Sequence, residues 1–425
     1  STTLPNGLHL LVVEDHALPL VAVRAVIGAD STMDPIGKEG LYALTLGVMR
    51  EGTTSKNANQ LAESFADIGA AVTPTSFTTT TAGFATGLSL MADMLEHPAF
   101  EQAGIDRRKA IQAAAAKRIA QSPTSAPRHL FNAVLYGAEN GYVRSLVPTE
   151  ASIGSLAHDD LVAFHDRYVR PQLATLIVVG DVTAASALTE ATKAFGAWER
   201  GSEAPRAESA TVPAARPTTI YLLDTQSPQA YVYIGGAGPS RDASDYIVAD
   251  VMGAISGTRM VQTLRERRSF MYSGASGIIA RRAPLVSSFV GSAAINASKV
   301  DSALVEWIAL LKGLSGGRPV SPQELEATRR NRVGILPARI EGPDSVAIRL
   351  SELVRDNVPL TYYDTYAARV PKVTPGEIAA AATKYVDPEH LIIVVTGDRK
   401  VLEPALRAAN IAPVVIVDAD GNPIK

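Results

Sequence analysis

The chain has 425 residues, 46% of them apolar and 20% charged, with a formal net charge of -3. That length exceeds one ordinary core and suits two or more domains, and the composition is that of a folded protein, not a disordered one. The balance of charge offers no basic stripe for nucleic acid, and the longest apolar runs, such as Leu173 to Val179, fall far short of the ~18–20 residues that span a bilayer.

There is no cysteine, which excludes disulfides, thiol nucleophiles and thiolate metal sites together. The chain opens at Ser1 without a methionine. This favours removal of an upstream segment and a periplasmic location, with cytoplasmic as the alternative.

In chain order, strand-like runs come first, at Leu8 to Val13 and Val21 to Ile27. The segment Gly40 to Thr53, GLYALTLGVMREGT, reads as a short packing helix with Leu41, Leu44, Leu46 and Val48 as its apolar set and Arg50-Glu51 at its close. Helices are expected at Gln60 to Ile68, Leu88 to Leu95 and the alanine-rich Asp106 to Gln121. A unit then occurs twice. Arg167 to Asp181 is RYVRPQLATLIVVGD and Lys384 to Asp398 is KYVDPEHLIIVVTGD, with Tyr168, Pro171, Gly180 and Asp181 answering Tyr385, Pro388, Gly397 and Asp398. In each copy a helix ends at an aromatic, a proline prevents its continuation, a β-branched run makes a buried strand, and Gly-Asp turns into the next helix.

Between the copies lies a stretch rich in Pro, Ala, Ser and charge, Arg200 to Pro217, with the linker proper placed at 206–217. It separates a domain at 1–205 from one at 218–425. The second half also begins with strand-like runs, Thr219 to Leu223 and Tyr231 to Gly235. Strands gathered around a helical middle predict an α+β fold of two homologous α/β-sandwich domains, each a mostly antiparallel sheet covered by helices.

The frame of Gly40 to Thr53 resembles the zinc-binding helix of the pitrilysin-like (M16) metallopeptidases. There an inverted motif, His-x-x-Glu-His, stands between a leading Gly and a closing Gly-Thr. The likeness extends from LPNGLHLLVVEDHALPLVAV at Leu4 to the final repeat, and it implies the half-clamshell of an M16B-type half-enzyme chain. The three motif positions fall on Ala43, Leu46 and Gly47, none of which ligates a metal or moves a proton. The family's third ligand is a Glu in the region of Arg107 to Gln121, which here reads RRKAIQAAAAKRIAQ and holds no acid.

In the second half, GTRMVQTLRERRSFMY at Gly257 to Tyr272 is similar to the family segment whose Arg and Tyr, seven residues apart, reach the scissile carbonyl. The matching residues are Arg265 and Tyr272. The resemblance implies a non-zinc subunit of a heterodimeric peptidase, like the alpha-type subunit of processing peptidases, whose zinc is in a homologous partner bearing His-x-x-Glu-His. Its substrates would be peptides, held in an enclosed chamber. Arg265 and Tyr272 would be its catalytic residues, with no cofactor or metal of its own.

Other readings of these residues stand beside that one. Arg265, Arg267 and Arg268 close to a helix end offset the negative pole of the helix dipole, and Tyr272 can open a strand. The same fold also suits an inert scaffold of the respiratory core-protein type, or a peptide binder that does not cut. His158 and His165, seven apart in HDDLVAFHD, could share a helix face with Asp159 or Asp166 as a metal site, but a solvated helix start, with Asp159 and Asp160 near the positive end of the dipole, is the favoured reading. Gly235, Gly236 and Gly238 follow a strand and read as turn-makers, and Gly253 and Gly257 read as flanking a helix; no dinucleotide or phosphate-loop pattern is matched.

Overall fold

The fold is described here from a computed structural model covering residues 1–201, 216–281 and 285–424. Residues 206–215 of the linker expected at 206–217 lie outside the described residues. Spatial contacts divide the chain into two units. One takes the described residues of Ser1–Arg118, Arg144–Glu208 and Leu336–Arg355, the other those of Ile119–Val143, Ser209–Ile335 and Asp356–Lys425.

The sheet of the first unit contains β1 (Thr2–Thr3), β2 (His9–Glu14), β3 (Leu20–Ile27), β4 (Ala71–Thr73), β5 (Ser76–Thr80) and β6 (Ala174–Gly180). Its order is β1-β2-β6-β3-β5-β4. Only β2 and β6 run parallel; the other neighbours are antiparallel. The second sheet contains β7 (Thr219–Asp224), β8 (Gln229–Ala237), β9 (Met271–Ile279), β10 (Ser288–Asn296), β11 (Ile392–Gly397) and β12 (Val414–Ile416). Its order is β12-β7-β11-β8-β10-β9. Here β7 runs parallel to both β11 and β12, and β8, β9 and β10 are antiparallel to their neighbours.

The repeated unit therefore occupies equivalent places. The helix His158–Tyr168 leads into β6 and the helix Pro375–Tyr385 into β11, each ending at the repeat's tyrosine. The helices Ala184–Phe195 and Arg399–Ala409 follow.

Strand β6 shows why one covering layer is not enough. With side chains alternating across the pleat, Leu176 and Val178 join the main core with Leu44, Met91 and Phe195. Ile177 and Val179 point the other way and pack with Ala22 and Ala347. The helix Pro343–Arg355, from late in the sequence, supplies that second cover through Val346, Ala347, Leu350 and Val354, a spacing that keeps them on one face. Its Asp344 accepts a hydrogen bond from Arg24 of β3 at 3.2 Å, which partners the one charge in that strand. The second unit mirrors this. Val394 of β11 packs against Leu130, Phe131 and Tyr136 of the helix Ser125–Tyr136, which comes from early in the sequence.

Each sheet is thus closed by a helix drawn from the opposite half of the chain. Placing a carboxylate at Ala347, between Ile177 and Val179 and with no partner, should cost roughly 3 kcal/mol or more. Urea unfolding of Ala347→Asp measures this; a loss below about 1 kcal/mol contradicts the assigned packing.

Candidate functional site

The helix at the motif position runs Leu41–Val48 and buries Leu41, Leu44, Thr45 and Val48. Thr45 takes the inward place expected for Leu46, because Leu41, Leu44 and Thr45 fall three and four apart whereas Leu46 is rotated to the half-buried flank. A short 3₁₀ turn, Met49–Glu51, then closes the helix.

Its start is fixed by Asp34, which is 3% exposed and accepts from the backbone N–H of Gly40 and of Tyr42, both at 2.8 Å. Gly40 has φ of 102°, and a Cβ there would stand 2.5 Å from Gln112 Nε2. Gln112 in turn donates to the Gly40 carbonyl at 2.9 Å. Desolvation pushes the Asp34 carboxyl up to about 6, outweighing the two amide donors.

The residues at the motif positions do not fit zinc. Ala43 is exposed, and Leu46 and Gly47 are half-buried. A Cβ added at Gly47 would meet Arg108 Cδ at 3.6 Å, so a cationic side chain lies over this face. Arg107 and Arg108, from the helix Gln102–Gln121, both bond Glu51, at 2.6 and 2.5 Å. Burial opposes ionisation of Glu51, but the two guanidinium groups hold its carboxyl below the usual range. Arg50 is pushed down by burial and by Arg108. The helix and its neighbour form a packed joint in which one carboxylate, Glu51, bridges two guanidinium groups. Among the described residues there is no group of three or more His, Asp or Glu side chains able to hold a metal.

The histidine pair does not assemble either. His165 is buried, with Nε2 bonded to the Leu95 carbonyl at 2.8 Å, while exposed His158 pairs with adjacent Asp159.

Arg265 and Tyr272 sit on unusual backbone. The helix Tyr246–Met260 continues into a π-helical turn, Val261–Arg267, in which Leu264 is the buried residue and Arg265 is exposed. The chain leaves this turn through Ser269, whose φ of 55° is left-handed, and Phe270 N–H bonds back to the Leu264 carbonyl at 2.7 Å. In β9, Ser273 opposes Ala294 and Met271 opposes Ile295. Tyr272 is the extra residue of a bulge between them, and it is 56% exposed. Among the described residues neither Arg265 nor Tyr272 has a side-chain hydrogen bond or ion pair, whereas Arg268 pairs with Glu306.

The glycines differ from their expected places. Gly253 and Gly257 lie inside the helix Tyr246–Met260, not beside it. Side chains there would meet Gly277 Cα at 2.8 Å and the Ser276 carbonyl at 2.9 Å, so their absence lets the helix rest directly on β9. Gly235 and Gly236 belong to β8 itself, where a Cβ on Gly235 would stand 2.0 Å from the Phe289 carbonyl oxygen. Sequence reasoning missed this seating; the spacing of Gly253 and Gly257, one helical turn apart, was the available signal.

Because the folded chain holds the Asp34 proton more tightly than the unfolded chain, this residue favours folding at low pH. Its contribution is lost as pH rises from about 4 to about 6, amounting to at most about 3 kcal/mol. Urea midpoints at pH 4 and pH 7 should fall more steeply in the wild type than in Asp34→Asn; equal slopes contradict this assignment.

Residues 155–332, which include Arg265 and Tyr272, match the family described as Peptidase M16 inactive domain. A relative from Bacillus subtilis, the uncharacterized zinc protease YmxG, is 22% identical over 81% of this chain and 85% of its own. A Pseudomonas fluorescens structure of a peptidase M16 inactive domain shares the fold with a TM-score of 0.83 at 22% identity, over 93% of this chain and 97% of that one. The periplasmic protease PqqL of Escherichia coli aligns with TM-score 0.77 at 14% identity, over 100% of this chain and 51% of its own, so this chain spans about half of PqqL. Over residues 155–332 this chain thus matches the Peptidase M16 inactive domain, and over nearly its whole length it has the fold of the M16 structures it aligns with.

Proposed function

We propose that this chain is the non-zinc subunit of a heterodimeric M16 peptidase, with Arg265 and Tyr272 as the groups it contributes to catalysis. One observation carries the reading. Both side chains are exposed, without hydrogen-bond or ion-pair partners among the described residues, and held by a π-turn and a bulge. Such backbone irregularities have a stability cost and persist where they aim a side chain. A surface Arg and Tyr serving only packing or the helix dipole would not need them.

The metal chemistry in this reading belongs to a homologous partner chain bearing His-x-x-Glu-His. The residues of this chain act on the substrate. Arg265 donates from a permanently charged fork to the carbonyl oxygen of the scissile peptide, and the Tyr272 hydroxyl donates to the same oxygen. As that oxygen gains negative charge in the tetrahedral state, both bonds strengthen, which lowers the barrier by several kcal/mol. The substrates are peptides admitted to a chamber between the paired chains. The functional halves correspond to 1–205 and 218–425, and the compartment is the periplasm, a choice supported by the likeness to a periplasmic protease.

In the assembled pair, Arg265→Ala should lower kcat on the order of 10²-fold without dissociating the chains, and Tyr272→Phe should lower it in the same direction. Turnover of a fluorogenic peptide, with gel filtration to confirm pairing, measures both. Unchanged turnover contradicts the roles assigned.

A further inference from the structure

Arg259, next to last in the helix Tyr246–Met260, is 3% exposed and yet charged. Its Nε bonds Glu324 Oε1 at 2.7 Å and its Nη2 bonds Glu324 Oε2 at 2.8 Å. Its Nη1 reaches the Arg318 carbonyl at 2.8 Å and its Nη2 the Pro319 carbonyl at 3.3 Å. Glu324 lies in the first turn of the helix Pro322–Gly334, where its N–H bonds the capping Ser321 hydroxyl at 3.2 Å. One guanidinium therefore ties the end of one helix to the start of another and to the chain leading into it.

Burying such a pair is a poor way to gain stability, because an apolar pair of similar volume usually does as well or better. What the pair adds is direction. A planar fork against a carboxylate fixes both distance and angle, which an apolar contact leaves loose. Its place in the chain gives that direction a use. Val261, the first residue of the π-turn, is two positions further on, and Arg265 is six. On the opposite side, Gly253 and Gly257 seat the same helix on β9, and the Ser256 and Ser276 hydroxyls meet at 3.2 Å. The helix end is held from two sides where the π-turn departs, and β9 carries Tyr272.

We infer that the Arg259–Glu324 pair is a positioning device that sets the take-off of the π-turn and so the direction in which Arg265 and Tyr272 are presented. For catalysis this rests on the proposed function above; as a statement about backbone order it does not. Arg259 and Glu324 touch no substrate in this account and act through Arg265.

Two variants test it. Arg259→Lys keeps the charge and loses the fork; Glu324→Gln keeps the shape and loses the charge. In the full isolated chain, amide hydrogen exchange is followed at Arg268, Ser269 and Phe270, whose N–H groups close the π-turn onto Thr263, Arg265 and Leu264. Exchange there should accelerate by about tenfold or more in both variants while β10 and β11 keep their protection. In the assembled peptidase, Arg259→Lys should lower kcat at constant KM, and adding it to Arg265→Ala should cause no further loss.

Wild-type exchange at these amides in both variants overturns the inference. So does protection lost equally across β10 and β11, which assigns the pair to global packing, and so do losses that multiply with Arg265→Ala. If Arg265→Ala itself leaves turnover unchanged, the proposed function fails, and the exchange result still decides the positioning.

Discussion

Strands β6 and β11 are apolar on both faces, and the architecture follows from having to keep both faces from water. In β6, Leu176 and Val178 enter one core while Ile177 and Val179 enter another. A sheet covered on one side only would leave half of each such strand exposed, at a cost of roughly 1.5–3 kcal/mol per large side chain. The cover is a helix from the other half of the sequence in both units, Pro343–Arg355 in the first and Ser125–Tyr136 in the second. Neither half of the sequence completes its own core.

The same sheet that requires a cover also presents the candidate site. In the second unit the helix Tyr246–Met260 lies on β9 at backbone distance, because Gly253 and Gly257 remove the side chains that would hold it away. From that close seat the helix loosens into a π-turn, reverses through Ser269 and enters β9 at a bulge. Three departures from regular backbone in about a dozen residues carry two side chains that have no hydrogen-bond or ion-pair partner among the described residues. The motif helix of the first unit shows the opposite economy. Its polar residues are spent on one another: Asp34 caps it, and Glu51 satisfies Arg107 and Arg108.

Much of this was legible in the sequence where the signal is local. The two β-branched runs after prolines became β6 and β11, and their helices end at Tyr168 and Tyr385. The substitution of Ala43, Leu46 and Gly47 at a metal motif could be read directly, since metal ligation depends on residue type. Other features arise from packing between distant segments and leave little local trace. Helix exchange between halves is not encoded by periodicity. Gly253 and Gly257 read as helix ends because glycine weakens isolated helices; the gain from close approach to β9 overrides that preference. Gly235 and Gly236 suggested a turn, although both lie in β8 and β10 approaches Gly235 too closely for a side chain. Arg259 carries no signal of its own in the sequence, and only the fold shows that Glu324, 65 positions away, is its partner.

The central claim is that this chain brings carbonyl-binding donors and no metal to a shared active site. Purification from the native host under non-denaturing conditions tests it most directly, with the chains identified and counted by mass spectrometry and the zinc content measured. The account predicts a homologous chain bearing His-x-x-Glu-His in equal amount, with one zinc per pair of chains. A metal-free assembly of this chain alone, or its recovery in an unrelated membrane complex, would contradict it.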